Sequence, residues 1–220
     1  MALTKFNFNS FDVTTAASTG LGFNASANGF STLTSTSIVL IKTITASSDS
    51  TISFVDGSSD VVLDNTYPVY MFKFVNIHPA TDGVKFQVNF RDGGSSYDAS
   101  KTTSHFRSLH YEDGSTAAEI TYLTATDLAN GTGSQSIAQN IGNDNDQSAS
   151  GSLMLFDPSS TTFVKHFVSR VNCSGNANYS QEIFAAGYCN TTTAIDGVQF
   201  SMTSGNIDSG TIKLYGIKDS

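Results

Sequence analysis

The sequence predicts an all-β protein: a jelly-roll-like antiparallel β-sandwich over residues 37–220, preceded by an extended N-terminal arm over residues 1–36. Three observations predict this class. Charged residues make up only 14% of the chain, against about 25% in an average globular protein. Ser, Thr, Asn and Gly take their place, and these residues suit strands and turns better than helix surfaces. Short apolar segments separated by turn signals also recur from Thr36 onward.

Five phenylalanines distinguish the first 36 residues from the rest of the chain. They are widely spaced in a background of Asn, Ser, Thr, Ala and Gly: Phe6, Phe8, Phe11, Phe23 and Phe30. A segment without dense, periodic apolar residues cannot close a core by itself. It could be a flexible leader, but a solvated leader has little use for five aromatic rings. The pattern therefore favours an arm whose rings dock on a body or on a neighbouring chain.

The first strands of the sandwich are predicted from apolar runs. "SIVLIKTIT" is apolar on both faces, which is typical of a central strand. "STISFV" and "DVVLD" follow as two more strands around the turn "DGSSD". "YPVYMFKFVNI" should be buried on both sides. One of its faces is predicted to carry Val69, Met71, Val75 and Ile77, and the other Tyr70, Phe72 and Phe74.

The middle of the chain contains the clearest strand and one competing helix. "GVKFQVNFRD" alternates without fault, with Val84, Phe86, Val88 and Phe90 on one face. After the loop "RDGGSSYDASKTTS", "HFRSLHYEDGS" predicts another strand. A short helix competes within Ser115–Gly131, because Ala and Leu tolerate a helix and Gly131 could cap its end. Later segments such as "NYSQEIFAAGYC", "GVQFSMTS" and "GTIKLYGIKDS" bring the total to about ten strands.

The segment "SLMLFDPSSTTFVKHFVSRV" predicts a hairpin that contacts a second subunit. Its turn is Asp157-Pro158-Ser159-Ser160, where Pro presets the backbone and Asp can bond the backbone ahead. One face of the returning strand then carries Phe163, Phe167 and Val171. The other face is half apolar, and it carries Val164, His166, Val168 and Arg170. A strand that is apolar on one side and mixed on the other favours an oligomer contact.

Charge excludes two classes of partner. The formal net charge is −8 and the isoelectric point is near 4.7, so the field of the protein repels phosphate backbones and anionic lipid. Nucleic acid and membrane are therefore not expected as partners. The N-terminus "MALTKFNFNSFD" lacks the apolar core of a signal peptide, and no segment has about eighteen uninterrupted apolar residues. We expect the chain to be made in the cytoplasm.

No pattern in the sequence indicates catalysis, a cofactor or a strong metal site. The four histidines are His78, His105, His110 and His166. His105 and His110 are five positions apart, so a strand points them to opposite faces, and His78 is expected in a surface loop. "GNDNDQSASG" resembles a calcium loop for three residues and then departs from it at Ala149 and Leu155. A weak calcium site that uses other loops stays open.

Two further residue sets need an interpretation. Cys173 and Cys189 are predicted to be free, buried thiols, because a hairpin turn at "CSGNANYS" would place them too far apart for a disulfide.

Tyr97, Tyr111 and Tyr179 lie in or beside loops rich in Asn, Asp and Ser. This mixture can bind sugar rings by stacking and hydrogen bonds, although it is also common in the loops of any acidic β-protein.

Three segments resemble a group of tailed-phage virion proteins that is common among phages of marine bacteria. They are "LDNTYPVYMFKFVNIHPATDGVKFQVNFRDGGSSYD", "IGNDNDQSASGSLMLFDPSSTTFVKHFVSR" and the terminal "SGTIKLYGIK". Proteins of this group are described as tail-fibre or structural proteins, and the resemblance spans roughly Thr36 to Lys218. It brings no catalytic residues.

The resemblance implies a structural protein of the virion surface, made in the host cytoplasm. We expect a capsid decoration, cement or head-fibre protein that is anchored through its N-terminal arm. Its expected partners are further copies of itself, as a trimer, and other virion proteins such as the major capsid protein. The alternative is a tail-fibre module that recognises a host surface glycan through Tyr97, Tyr111 and Tyr179.

Overall fold

The computed structural model describes residues 20–23, 30–33, 37–114 and 118–219. The chain divides into two compact units, Met1–Ser37 and Ile38–Ser220. In the first unit, strand β1 (Gly20–Phe23) pairs antiparallel with strand β2 (Phe30–Leu33). The segment predicted as an extended arm therefore contains a strand pair.

Strands, turns and loops make up all that the structure describes of the second unit, and no helix occurs among these residues. The strands are β3 (Ile38–Thr45), β4 (Thr51–Val55), β5 (Val69–Pro79), β6 (Val84–Arg91), β7 (Lys101–Tyr111), β8 (Glu119–Tyr122), β9 (Gln135–Ile141), β10 (Ala149–Phe156), β11 (Lys165–Gly175), β12 (Tyr179–Cys189), β13 (Gly197–Met202) and β14 (Ile207–Ile217). The helix considered within Ser115–Gly131 is wrong for the described part of that range, because β8 and a series of turns occupy it. Residues 115–117 lie outside the described residues.

The twelve strands form one antiparallel sheet that divides into two layers, which we call the first and second sheets. The first sheet, in spatial order, is β3-β14-β5-β10-β11-β12-β7-β8, and the second is β4-β13-β6-β9. One register pair, Gly175 with Ile141, joins the two layers between β11 and β9. The predicted all-β antiparallel class is confirmed.

Eight of the strands pair in a nested order along the chain. Strand β3 pairs with β14, β4 with β13, β5 with β10, and β6 with β9. The other four strands, β11, β12, β7 and β8, extend the first sheet beyond β10. The first sheet is therefore twice as wide as the second. The second sheet is too narrow to cover the inner side of the four extra strands completely, so loops must cover the remainder.

Phenylalanines from both layers build the core between the sheets. Phe72 and Phe74 point inward from β5, and Phe86 and Phe200 point inward from β6 and β13. The ring centroid of Phe200 lies 5.3 Å from that of Phe72 and 5.2 Å from that of Phe74. Phe74 and Phe86 meet edge to face at 5.2 Å. Such edge-to-face contacts are favourable beyond the area that they bury, so they fix the spacing of the two sheets.

Strand β6 follows its sequence prediction. The residues predicted to face the core are all buried: Val84, Phe86, Val88 and Phe90. Because side chains alternate along a strand, Lys85 and Gln87 point the other way and are half-buried. The alternation of this segment is confirmed.

Strand β3 departs from its prediction. It is an edge strand that pairs with β14 alone, and none of its residues is buried. Ile38 and Leu40 are about half exposed, at 48% and 52%. The prediction of a central strand is wrong, because a pattern that is apolar on both faces does not say whether a neighbour pairs on both edges.

Two other local predictions are also wrong. "DVVLD" is not a strand but a loop in which Val61 and Leu63 are buried, with the Leu63 amide donating to Asp56 Oδ1 at 2.8 Å.

On β5, Ile77 lies on the buried side with Tyr70, Phe72 and Phe74 instead of with Val69. The cause is Asn76, whose φ of 52° marks an irregularity that reverses the alternation for the end of the strand. Val69, Met71 and Val75 stay half-buried on the outer side.

Candidate functional site

The solvent-facing side of the eight-stranded first sheet is the candidate site, and we call it the outer face. On β11, residues alternate between the interior and this face. Phe167 and Val171 are fully buried, whereas His166, Val168 and Arg170 are exposed. This is the alternation that the sequence predicts for these residues. Val164 precedes the strand and is half-buried, and Phe163 departs from the prediction because it lies in the turn and is 70% exposed.

Two neighbouring rows of apolar side chains cross the outer face from β3 to β11. In the first row, Leu40 lies opposite Tyr215, Tyr215 opposite Met71, Met71 opposite Met154, and Met154 opposite Val168. The second row contains Ile38, Ile217, Val69 and Phe156. We call these nine residues the apolar band. Four of them are 37–52% exposed: Ile38, Leu40, Met154 and Val168.

A hollow continues the apolar band on the other half of the outer face. Val168 lies opposite Ala186, which lies opposite Ser104, so two small side chains follow the bulky ones in the same row. The hollow has a volume of about 400 Å³ and is lined by His166, Tyr188 and Thr102 as well. The outer face therefore has a ridge on β14, β5 and β10 and a depression over β12 and β7.

Charges and aromatic rings form the next row of the outer face. Lys73 and Lys213 lie directly opposite each other, and none of the described residues forms an ion pair with either. Like charges in this position repel each other. In the same row, Arg170 pairs with Glu182 and lies 5.4 Å from the ring centroid of Phe184.

Phe184 is stacked on Phe106 of the neighbouring strand, with centroids 4.8 Å apart and an interplanar angle of 9°. Because Phe106 is 41% exposed, this pair presents aromatic surface to solvent. The row thus carries cations at one end and aromatic rings at the other.

The inner side of β11, β12 and β7 contains a polar layer that the sequence analysis missed. Its buried members are Lys101, Thr103, His105, Gln135, Gln139, Lys165, Ser169 and Gln181. β9, the edge strand of the second sheet, covers part of this inner side, and loops cover the rest. Loop backbone groups that are buried must find hydrogen-bond partners, and polar side chains supply them.

The two buried lysines illustrate this role. Lys165 Nζ donates to the carbonyl oxygens of Thr191 and Thr193 at 3.1 and 2.6 Å. Lys101 Nζ donates to Ala99 O at 2.6 Å and to Asn89 Oδ1 at 2.5 Å. Burial lowers the pKa of Lys101 to about 8. Lys165 is separated from Phe167 and Val171 by even numbers of residues, so the alternation of the strand already indicated that its side chain points inward.

His105 is the most perturbed imidazole of the described chain. It is fully buried, and its Nδ1 lies 2.6 Å from the hydroxyl oxygen of Thr126. Its Nε2 is buried without a hydrogen-bond partner. Burial, with smaller contributions from the positive charges of Lys85 and Arg107, lowers its pKa to about 4. The ring is therefore neutral at physiological pH.

The remaining histidines and acids do not converge. His110 is exposed, so the prediction that His105 and His110 lie on opposite faces is confirmed. His78 lies within β5 instead of in a surface loop, and its Nδ1 is 2.7 Å from the carbonyl oxygen of Gln147. Among the residues that the structure describes, no group of three or more His, Cys, Asp or Glu could hold a metal ion. Asp144 and Asp146, which lie in the segment compared with a calcium loop, therefore do not belong to such a group.

Both cysteines are free and buried, as the sequence predicts. In the β11–β12 hairpin, Cys173 lies opposite Gln181 and Cys189 lies opposite Lys165. The two thiols are thus eight register positions apart, about 27 Å along the strand direction. Burial raises the pKa of each thiol to about 12.

We expect neither thiol to react with an aromatic disulfide reagent while the protein is folded, because the reactive thiolate is suppressed and buried. Absorbance of the released thiophenolate checks this. The chain unfolded in guanidinium serves as the control and should titrate two thiols, Cys173 and Cys189. Rapid labelling of one thiol under native conditions would contradict the buried placement.

The three candidate sugar-binding tyrosines do not form one site. Tyr97 precedes β7 and Tyr111 ends it, so about 34 Å of strand separates them. Tyr179 packs against Tyr111 with centroids 5.2 Å apart, but it is only 4% exposed. A sugar ring could not stack on a side chain buried to this degree.

The phenylalanines of the N-terminal segment are described only in part. Phe23 and Phe30 are register partners in the β1–β2 pair. Phe6, Phe8 and Phe11 lie outside the described residues. The anchoring role assigned to the five residues stays a prediction.

Comparison with known proteins does not assign the chain to a group. No protein-family model, no curated protein and no solved structure matches it. Within the described residues, no helix is long and apolar enough to cross a membrane. The outer face therefore has to be interpreted from its own geometry and chemistry.

Proposed function

We propose that the protein is a structural protein of a bacteriophage virion surface, a capsid decoration, cement or head-fibre protein that acts by contacting its neighbours. The apolar band on the outer face carries this proposal. Nine apolar side chains in two adjacent rows form a contiguous patch on a wide antiparallel sheet. Contiguous exposed apolar patches of this kind mark sites of protein interaction.

The charge and construction of the protein support this role. A net charge of −8 repels DNA, which suits a protein that assembles around a nucleic acid without binding it. The dense antiparallel strand pairing gives a stiff body. The resemblance of its segments to virion proteins points to the same setting.

We also infer that the nested strand pairs make the core a jelly roll. Pairing the first strand with the last and the second with the second-to-last is what results when one long antiparallel ribbon is rolled into two four-stranded sheets. β3, β4, β5 and β6 pair in this order with β14, β13, β10 and β9.

In the proposed assembly, several copies occupy the virion, and the N-terminal segment anchors each copy to the major capsid protein or to a neighbour. Five phenylalanines within 36 residues supply apolar contacts for such an anchor. The resemblance implies a trimer, whereas the geometry of the outer face favours the twofold pair that is argued below. No catalytic step is part of this function.

The decisive experiment identifies the chain in purified particles. We expect it at many copies per particle, detected by mass spectrometry of gradient-purified virions and located on the head by electron cryomicroscopy. Absence of the chain from purified particles would contradict the virion proposal. Its presence only at the distal tip of the tail would contradict the head location.

Deleting residues 1–36 is expected to leave the sandwich folded and to abolish its incorporation into particles. The core residues that the structure describes lie within Ile38–Ser220, so the truncated chain retains the contacts that they make between the two sheets. Circular dichroism melting checks folding, and quantitative blotting of purified particles checks incorporation. Loss of the cooperative melt would show that the segment belongs to the core.

A further inference from the structure

The outer face is arranged so that it can pack on a copy of itself. The eight strands of the first sheet have their midpoint at the boundary between β10 and β11. We propose that two copies pack outer face to outer face across a twofold axis that runs along this boundary, parallel to the strands. Such an axis places β10 of one copy over β11 of the other, β5 over β12, and β14 over β7. In a twofold contact the same surface serves both copies, and aligned face-to-face packing is a common arrangement of antiparallel sheets.

The shapes of the two halves of the face are complementary under this axis. Met71 and Tyr215 belong to the ridge, and Ala186 and Ser104 belong to the hollow in the same row. The axis places Met71 over Ala186 of the second copy, and Tyr215 over Ser104 of the second copy. Met71 and Tyr215 therefore each meet a small side chain, and the hollow of about 400 Å³ receives part of the ridge. Because of the twofold axis, the ridge of each copy fills the hollow of the other.

The next row does not hold the two copies together. Lys73 and Lys213 occupy the row that also contains Phe184 and Phe106. Phe184 is stacked on Phe106, and Arg170 lies 5.4 Å from the centroid of its ring. The axis therefore places the lysines of one copy beside the Arg170–Glu182 ion pair of the second copy, and not over a free aromatic face. The attraction between the copies comes from the apolar rows.

The area of the contact is sufficient for a stable pair. The six strands from β14 to β7 in spatial order cover a width of roughly 29 Å, and eight residues of strand extend over about 27 Å. The projected area is on the order of 800 Å², which is the area that each partner buries in a typical stable interface. The apolar band crosses the middle of this area, where interface cores are apolar. This inference deepens the proposed function by naming the partner of the outer face.

The first experiment measures the mass of the full chain in solution by light scattering and its dissociation constant by analytical ultracentrifugation. We expect twice 23.3 kDa. Val168→Lys places a charge beside the axis in the apolar centre, and we expect it to weaken pairing by at least about 100-fold. Val55→Lys is the matched control, because Val55 is a half-buried residue of β4 in the second sheet. It should leave pairing unchanged, and circular dichroism should show that both variants are folded.

The second experiment is a double-mutant cycle between Met71 and Ala186. The register separates these residues by three strand spacings, about 14 Å within one copy, so their side chains should couple in the pair only through the second copy. We expect Ala186→Leu to weaken pairing by about 5-fold, because it fills the hollow that receives Met71, and Met71→Ala in the same chain to recover most of that loss.

A monomeric or trimeric native chain, an unaffected Val168→Lys pair, or fully additive effects in the cycle would each overturn the twofold contact. These outcomes are separate from the virion proposal. That proposal depends on the presence of the chain in purified particles, whatever the mass of the free protein.

Discussion

Replacing Phe200 with alanine is expected to lower the free energy of unfolding by about 3–5 kcal/mol, the usual cost of removing a buried aromatic ring. Phe200 is fully buried, and its ring contacts four other phenylalanines from both sheets. These are Phe54, Phe72, Phe74 and Phe86, with centroid distances of 5.2–6.3 Å. The loss combines the transfer of the ring to water with the cavity that its neighbours cannot close.

Chemical denaturation followed by circular dichroism measures this change. Phe163→Ala is the matched control, because the same side chain is removed from a turn where it is 70% exposed. It should change the free energy of unfolding by less than about 0.5 kcal/mol. Equal effects of the two substitutions would show that the core does not lie where the two sheets meet.

Acidification is expected to destabilise the protein between pH 6.5 and pH 4 through His105. Burial lowers the pKa of His105 to about 4 in the folded state, whereas an unfolded histidine has a pKa of about 6.5. Below pH 6.5 the unfolded chain therefore binds a proton that the folded chain does not, so stability falls as the pH is lowered. The loss ends near pH 4 and amounts to about 3 kcal/mol. Above pH 6.5 this residue contributes no pH dependence.

The free energy of unfolding measured at several pH values checks this expectation. His105→Gln should remove most of the dependence of this free energy on pH between pH 6.5 and pH 4. His110→Gln is the control, because His110 is exposed on the same strand and should leave the slope intact. Nuclear magnetic resonance titration of the His105 ring tests the same point without a substitution. A His105 pKa near 6.5 in the folded protein would contradict its buried, neutral placement.

Local alternation was sufficient to predict several strands. In β6, strict alternation places four apolar side chains on one face, and no other element competes for them. The β10–β11 hairpin follows from the Asp-Pro turn and from the alternation of Phe167 and Val171 with His166 and Val168. These features depend on residues that are close in the chain, so a single sequence contains the necessary information.

The errors occurred where distant strands decide the outcome. β3 carries apolar residues on both faces, yet its position at the edge depends on β14, which lies more than 160 residues away in sequence. Ile77 changed face because of an irregularity at Asn76. The three tyrosines were grouped by composition, but Tyr97 precedes β7 and Tyr111 is the last residue of that eleven-residue strand.

The sequence by itself determined the all-β class, the antiparallel hairpins, the acidic charge and the two free thiols, because these depend on composition, alternation and short-range turns. The tertiary structure decided which strands became neighbours. Only the strand order places Leu40, Tyr215, Met71, Met154 and Val168 in one row, since they belong to five strands that are scattered along the chain. It also buried Lys101, Lys165 and His105, because the first sheet is wider than the second and loops with polar backbones cover the excess.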